Sequence, residues 1–451
     1  MNSSGVTCFE VNTVLRRLQW QALSEDQREQ LCRRGLDDIF APGLRESISA
    51  LIEDVRTRGD AAVCDALATF DKVHIEPHQL RLTDDEIDSA TVSEDLEKAL
   101  THAITNLRTF NEHLLARASD WQIDIEPGLS AGEKITPISS AGLFVPSGKA
   151  SYPSVAYQLG VPAVVAGVPE IALVVPPVPG GKGEVDPAVL VVCRMLGIRN
   201  VFRVNGPAGI AALGFGTESI PRVRKVVGPG SPAVTVAQVE MQRYGLATMM
   251  LLGPTESVVL ADESADPVRL AADLLIEAEH GTDSSVLFIT PSTQLVDRVE
   301  DELQKQVATL PAVRRDAAMS SLGVNGGAVI ASSMNEAIDI ANRYAPEHLQ
   351  VAVSEKDEKH VISGLVNAGE ILVGQHTPFS AGNFVIGAPA SLPTSGFAHV
   401  SSGITVEAFL KRTAVAKANE SALRNMAQTV ISLSDHEGFS AHGEALKIRF
   451  Q

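Results

Sequence analysis

Between Ile135 and about Val373, short apolar runs alternate with amphipathic segments, and this alternation constrains the fold more than any other feature of the chain. The runs Ile171 to Val175, Val201 to Val204, Lys225 to Val227, Ser257 to Leu260, Val286 to Thr290, Ala328 to Ile330 and Glu370 to Val373 read as strands. Pro187 to Leu196, Ala208 to Leu213, Pro267 to Glu279 and Asn335 to Ala341 read as the helices between them. Such alternation predicts an α/β fold of parallel sheets with helices on both faces. The region is too long for one ordinary sheet, so two Rossmann-like parallel-sheet units are expected, at 135–250 and 251–395. The break falls near Leu246 to Pro254, where Met249-Met250-Leu251-Leu252 ends in Gly253-Pro254. A helical N-terminal region, 1–134, shows apolar residues at helical spacing in Leu44-Ile48-Leu51-Ile52-Val55 and Leu96-Leu100-Ile104-Leu107. A helical C-terminal tail, 396–451, carries Val406 to Ala416 and Glu420 to Leu433 as candidate helices.

A chain of 451 residues, 45% hydrophobic, is long enough to bury several cores. Its net charge of -18 argues against a nucleic-acid partner, which would need a basic face. Cys8, Cys32, Cys64 and Cys193 are scattered, with no C-x-x-C, which suits a reducing cytoplasm and disfavours zinc held on sulfur. Met1 to Glu10 has no basic stretch followed by an apolar run, so it does not read as a signal peptide. The apolar stretch Val161 to Val178 is interrupted by Pro162, Pro169, Glu170, Pro176 and Pro177. It reads as buried strands and turns, with no membrane span.

Chemistry concentrates in Ala345-Pro346-Glu347-His348-Leu349. An imidazole can take a proton from an alcohol near neutral pH, while a neighbouring carboxylate orients it or activates water. A Glu-His pair also occurs by chance at solvated helix ends. Upstream, Glu277 and His280 stand three apart in a helical pattern, on one face and within reach of one ion, although a histidine there can equally close a helix C-terminus. Two more imidazoles, His436 and His442, lie near the C-terminus. Gly142 to Gly148 lacks both the dinucleotide and the phosphate-loop fingerprints. Gly228-Pro229-Gly230-Ser231 follows a strand, either as a turn or at the edge where open α/β sheets bind ligands. Asn383 can offer a carbonyl oxygen to a metal or simply satisfy loop backbone.

Taken together, Gly142-Leu-Phe-Val-Pro-Ser-Gly148, Ile210 to Ser219, Val227-Gly-Pro-Gly230, Gly253-Pro-Thr-Glu256, Ala261 to Pro267, Glu277-Ala-Glu-His-Gly281, Ala345 to Leu349 and Leu392-Pro-Thr394 resemble histidinol dehydrogenase. They occur in that family's order, from about residue 40 to the end. The resemblance implies a zinc-dependent, NAD-linked homodimer that oxidises an amino alcohol through the aldehyde to the acid. It places Glu347 and His348 on the catalytic pair, with His348 as base and Glu347 activating water. Glu277, His280, Asn383 and His442 fall on the metal ligands, one Zn2+ per chain, with His442 crossing to the partner on a dimer-swapped tail. Ser154, Thr255 and Glu437 fall on substrate contacts.

The departures from the family pattern are specific. Glu277 stands for a glutamine and Asn383 for an aspartate, so the neutral and anionic ligands exchange places and the summed charge of the set is kept. At the NAD or NADP site, Phe144, Ala208 and Ser231 replace tyrosine, glutamine and asparagine contacts. At the substrate, Phe384 replaces a tyrosine and Pro389-Ala390 an Asn-His pair. A pocket with fewer donors suits an alcohol other than histidinol. Three alternatives remain beside that expectation: a genuine L-histidinol dehydrogenase, a metal-dependent hydrolase or lyase without redox chemistry, and a ligand-binding pseudoenzyme.

Overall fold

The structure, a computed structural model, describes residues 14–34, 43–146, 152–249 and 253–450. Cys8, Met1 to Glu10, Ser147, Gly148 and Met250 to Leu252 lie outside them. Strands are numbered along the chain. Strands β4 (Ser140–Phe144), β5 (Glu170–Val175), β6 (Asn200–Arg203), β7 (Lys225–Val227) and β8 (Ala247–Thr248) form one parallel sheet in the order β6-β5-β4-β7-β8. Strands β1 (Arg17–Gln19), β9 (Glu256–Ala261), β10 (Ser285–Thr290), β11 (Gly327–Ile330), β12 (His348–Ala352) and β13 (Glu370–Val373) form a second, in the order β1-β11-β10-β9-β12-β13. Strand order reverses between β4 and β7 in the first sheet and between β9 and β12 in the second.

Alternate residues of each strand feed two different cores. Leu143, Leu173 and Val201 pack on one face of the first sheet, and Phe144, Val174 and Phe202 on the other. Val259, Val286 and Phe288 lie on one face of the second, and Val258, Leu287 and Leu349 on the other. Each such side chain contributes roughly 1.5–3 kcal/mol by leaving water, which is why apolar runs without alternation became parallel strands. The sheet-covering helix Pro267–Ala278 starts where Asp266 accepts the Val268 N–H and Pro267 takes the first turn, and its Leu270, Leu274 and Leu275 face inward.

Three expectations are corrected. The helix Pro153–Val165 includes Val161 and Pro162, where strands and turns were expected. Ala156 to Ala163 is buried throughout, so no polar stripe marks it as helical. The expected helix Val406 to Ala416 is a short 3-10 turn, Val406–Phe409, followed by strand β14 (Leu410–Ala418). β14 pairs antiparallel with β3 (Leu129–Pro137), which pairs with β2 (Trp121–Glu126). Pairing with a distant segment decides this structure over local propensity. The N-terminal region is likewise not only helical, since β1 closes an edge of the second sheet and β2 enters the three-stranded one. Beyond β14 the chain forms the helices Glu420–Glu437 and Ser440–Ile448. Trp121, Ile123, Ile125, Val415, Leu433 and Phe439 are exposed along this arm. Among the described residues no helix is long and apolar enough to cross a membrane, and Cys32, Cys64 and Cys193 are free thiols.

Candidate active site

The helix Met334–Tyr344 ends at Ala345, which is held in the left-handed region at φ 48 while its N–H bonds the Ala341 carbonyl. That conformation costs a non-glycine residue about 1–2 kcal/mol. Pro346 prevents the helix from resuming, and the chain enters β12 directly, so His348 is a strand residue rather than a helix end. β12 lies between β9 and β13, which sets His348 in register with Ser257 and Glu370. His348 is 3% exposed. Its Nδ1 lies 2.6 Å from Glu370 Oε1 and its Nε2 3.7 Å from Glu347 Oε1. Glu347 Oε2 accepts the Glu256 N–H at 3.3 Å, and the Phe379 ring stands edge-on to the imidazole.

Glu277, in the last turn of Pro267–Ala278, is buried, with its Oε1 accepting from Asn383 Nδ2 at 2.7 Å. His280 lies just past the helix end; its Nδ1 is 2.9 Å from the Ile276 carbonyl and so donates to it. That bond leaves Nε2 as the free ligand atom. Asn383 sits on the short helix Phe379–Phe384. A cavity of about 240 Å³ gathers Glu277, His280, Asn383, Glu347 and His348 with Ser154, Thr255, Phe384 and Pro229. Val155, Ala390 and Leu392 add an apolar wall. The Ala390 N–H is taken up by Gln158 Oε1 at 3.1 Å, and the Phe384 carbonyl by the Tyr157 hydroxyl at 2.9 Å.

Acidic side chains dominate this region. Glu256, Glu277, Glu347 and Glu370 are all largely buried around His348. Burial pushes the Glu347 carboxyl up to about 8, against the pull of His348. It pushes Glu256 up to about 7, although Arg34 pairs with that carboxylate at 2.7 Å and stacks over the Tyr344 ring. For His348 burial disfavours the cation, but Glu347, Glu277 and Glu370 together outweigh it and raise the imidazole to about 10.

The remaining sequence candidates lie elsewhere. Phe144 and Ala208 are each 1% exposed, packed within the first unit's core. Ser231 precedes the helix Pro232–Gln242 and makes no side-chain cap bond to it. Gly228, at φ +142, lies so close to β4 that a Cβ there would meet the Phe144 carbonyl oxygen at 2.1 Å. Glu437 and His442 are exposed on the C-terminal helices, His442 beside the Phe439 ring, and neither lines the cavity. Among the described residues no three His, Cys, Asp or Glu side chains cluster so as to hold a metal, because the site offers Glu277, His280 and an amide. Glu370 was missed from sequence. Its only signal was an acidic residue opening an otherwise apolar strand, Glu370-Ile-Leu-Val.

Comparison with known proteins bears on the family and the fold. A family model described as histidinol dehydrogenase matches residues 39–450. A histidinol dehydrogenase of Synechocystis sp. is 38% identical over 438 residues, covering 96% of this chain and 99% of that one. A histidinol dehydrogenase homolog of Colwellia psychrerythraea is 37% identical over 430 residues, 94% of each chain. The crystal structure of histidinol dehydrogenase from Elizabethkingia anophelis superposes with a TM-score of 0.90 at 29% identity, covering 97% of this chain and 98% of that one. With its fold and nearly its whole length accounted for in this way, the chain belongs to the histidinol dehydrogenase family of oxidoreductases.

Proposed function

We propose that this protein is a divalent-metal-dependent, nicotinamide-linked dehydrogenase that oxidises an alcohol or amino alcohol other than histidinol. The observation that carries the reading is the cavity itself: the Glu347–His348 pair faces the donor set Glu277, His280 and Asn383 across a space walled by Val155, Phe384, Ala390 and Leu392.

The donor set fits a cation. One carboxylate, one imidazole and one amide converge at the C-terminal end of a helix, where the backbone dipole favours positive charge, in a region of surplus buried carboxylates. Reversing the Asn383 amide would present its oxygen in place of its nitrogen. His442 would complete the set from a second copy of this chain, since its own tail leaves it exposed away from the cavity. The apolar face of that tail, with Leu433, Phe439 and Ile448 exposed, supports such a dimer. A dinucleotide also fits at the level of backbone. Pro229 joins the cavity to the first sheet's reversal point, and the helix that follows Ser231 begins without a side-chain cap, leaving its N–H groups for a phosphate. The neighbouring helix Gly206–Phe215 offers no such site, because Asn205 caps it and Asp71 stands 2.6 Å from the cap.

A bound divalent ion would supply Lewis acidity toward the alcohol oxygen, and the nicotinamide would accept the hydride. The surrounding carboxylates favour the second proton on His348, and a bound cation would oppose them; with Nε2 deprotonated, His348 takes the hydroxyl proton, and Glu347 as a carboxylate takes a proton from water for any second oxidation of the aldehyde. The apolar wall determines selectivity: a polar imidazole side chain would meet Phe384 and Ala390, whose backbone bonds are already used, and each unpaired buried polar atom costs about 1–3 kcal/mol. The test follows NADH or NADPH formation with L-histidinol beside simple diols and amino alcohols. Turnover of a panel alcohol with histidinol well below about 1 per second supports the reading. Histidinol as the fastest substrate would favour the reading carried by the relatives' names, and reduction of neither cofactor by any alcohol would refute a dehydrogenase.

A further inference from the structure

Glu370 stands on β13 directly beside His348, in register with it, and its carboxylate is 5% exposed. Its Oε1 lies 2.6 Å from His348 Nδ1, while Oε2 has no hydrogen-bond partner among the described residues. An ionised carboxylate can only accept, so Nδ1 keeps its proton in either charge state of the ring, and Nε2, the atom on the Glu347 side, is the nitrogen that gains and loses the second one. The niche is shaped for the acid: Gly382 packs over it, and a Cβ at that position would come within 3.1 Å of Glu370 Oε1 and 2.9 Å of Leu372 Cδ1. Stability alone gives no reason for such a residue. A buried ion pair with one oxygen unsatisfied is commonly matched or bettered by an apolar pair of similar volume.

We propose that Glu370 is a positioning residue for the reaction, fixing the His348 ring and its tautomer so that Nε2 faces the substrate as the proton acceptor. The inference rests on the dehydrogenase reading for its role. Its geometry can be tested apart from that reading.

The experiment uses the full-length protein labelled with ¹⁵N-histidine and records the ring N–H resonances, with His348→Ala identifying the His348 signal. The wild type should show a protonated, slowly exchanging Nδ1 on His348. Glu370→Gln, which retains an acceptor oxygen but no charge, should keep that proton with a shifted resonance. Glu370→Ala should lose it or show mixed tautomers. An unchanged signal in Glu370→Ala overturns the proposal. If that variant does not fold, an unchanged signal in Glu370→Gln overturns it instead, because a proton bound to that oxygen must register the loss of charge. With the diols and amino alcohols of the assay panel, Glu370→Gln should lower kcat at least about tenfold with little change in KM, the mark of an interaction made in the transition state. Full turnover by His348→Ala would refute His348 as the base, a failure separate from any seen in the spectra of the Glu370 variants.

Discussion

In the first α/β unit the cavity meets the carboxyl ends of the strands, at the crevice between β4 and β7, whereas in the second it meets the amino ends of β9 and β12. The difference follows from what each edge offers. At the carboxyl edge of a parallel sheet the covering helices begin, and the first unit presents the uncapped N–H groups of Pro232–Gln242, suited to an anion. At the amino edge the helices end. The second unit accordingly places Glu277 and His280 at one helix C-terminus and Glu347 and His348 just past another, suited to a cation and to an imidazole that must become charged. Buried charge divides the same way. In the first unit Arg203 is matched by Glu86 and by the Gly183 and Gln79 carbonyls, while the second gathers four carboxylates around one histidine.

The sharpest way to break this contrast is His348→Ala. It should reduce turnover on the order of 10²–10⁴-fold while leaving metal content near wild type, checked by NADH formation and elemental analysis. Loss of metal in that variant would make His348 a ligand and erase the division of roles. Gly228→Ala attacks the other edge. Its Cβ would overlap the Phe144 carbonyl, so the variant should lose roughly 3 kcal/mol of stability and its dinucleotide affinity, and still bind metal. Ser154, in the first turn of Pro153–Val165, lines the cavity from the first unit, and Ser154→Ala should raise KM about fivefold with kcat unchanged, as loss of one neutral hydrogen bond implies.

The smallest effect is a difference of sign in pH dependence. Contacts with the Thr83 N–H and hydroxyl and with Arg203 overcome the opposing effect of burial and hold Glu86 below the usual carboxylate range. Its contribution is therefore present above about pH 4.3 and lost as pH falls through the depressed value. Being partly exposed, it is worth no more than about 1 kcal/mol. Glu256 is raised by burial, so the folded state binds the extra proton and wild-type stability falls as pH climbs from about 4.3 to about 7. Melting curves at pH 3.5, 5 and 8 should show the Glu86→Gln deficit closing toward acid. Over the same range Glu256→Gln should gain on wild type toward base. Parallel pH trends in the two variants would contradict the contrast.

How much of this was legible in sequence depended on distance along the chain. β9 and β10 are apolar on both faces and announce themselves, and Glu277 and His280 are three apart on one helix. β14 was invisible as a strand because all but its first residue are exposed and its partner β3 lies far upstream. Glu370 was invisible as part of the site because its histidine is 22 residues away and only sheet register joins them. The exchange of carboxylate and amide between Glu277 and Asn383 could be read from the family resemblance, and the structure adds that the two side chains touch.

On the function proposed above, the second unit's amino edge holds the metal and the tail of another chain completes the site. This is tested most directly by co-expressing Glu277→Ala and His442→Ala chains under different tags and isolating the mixed dimer. In that dimer one site collects both lesions, and the other receives an intact Glu277 from one chain and an intact His442 from the other. The mixed dimer should hold about one divalent ion and neither homodimer any. A mixed dimer without metal, or a His442→Ala homodimer that keeps its full complement, would contradict it.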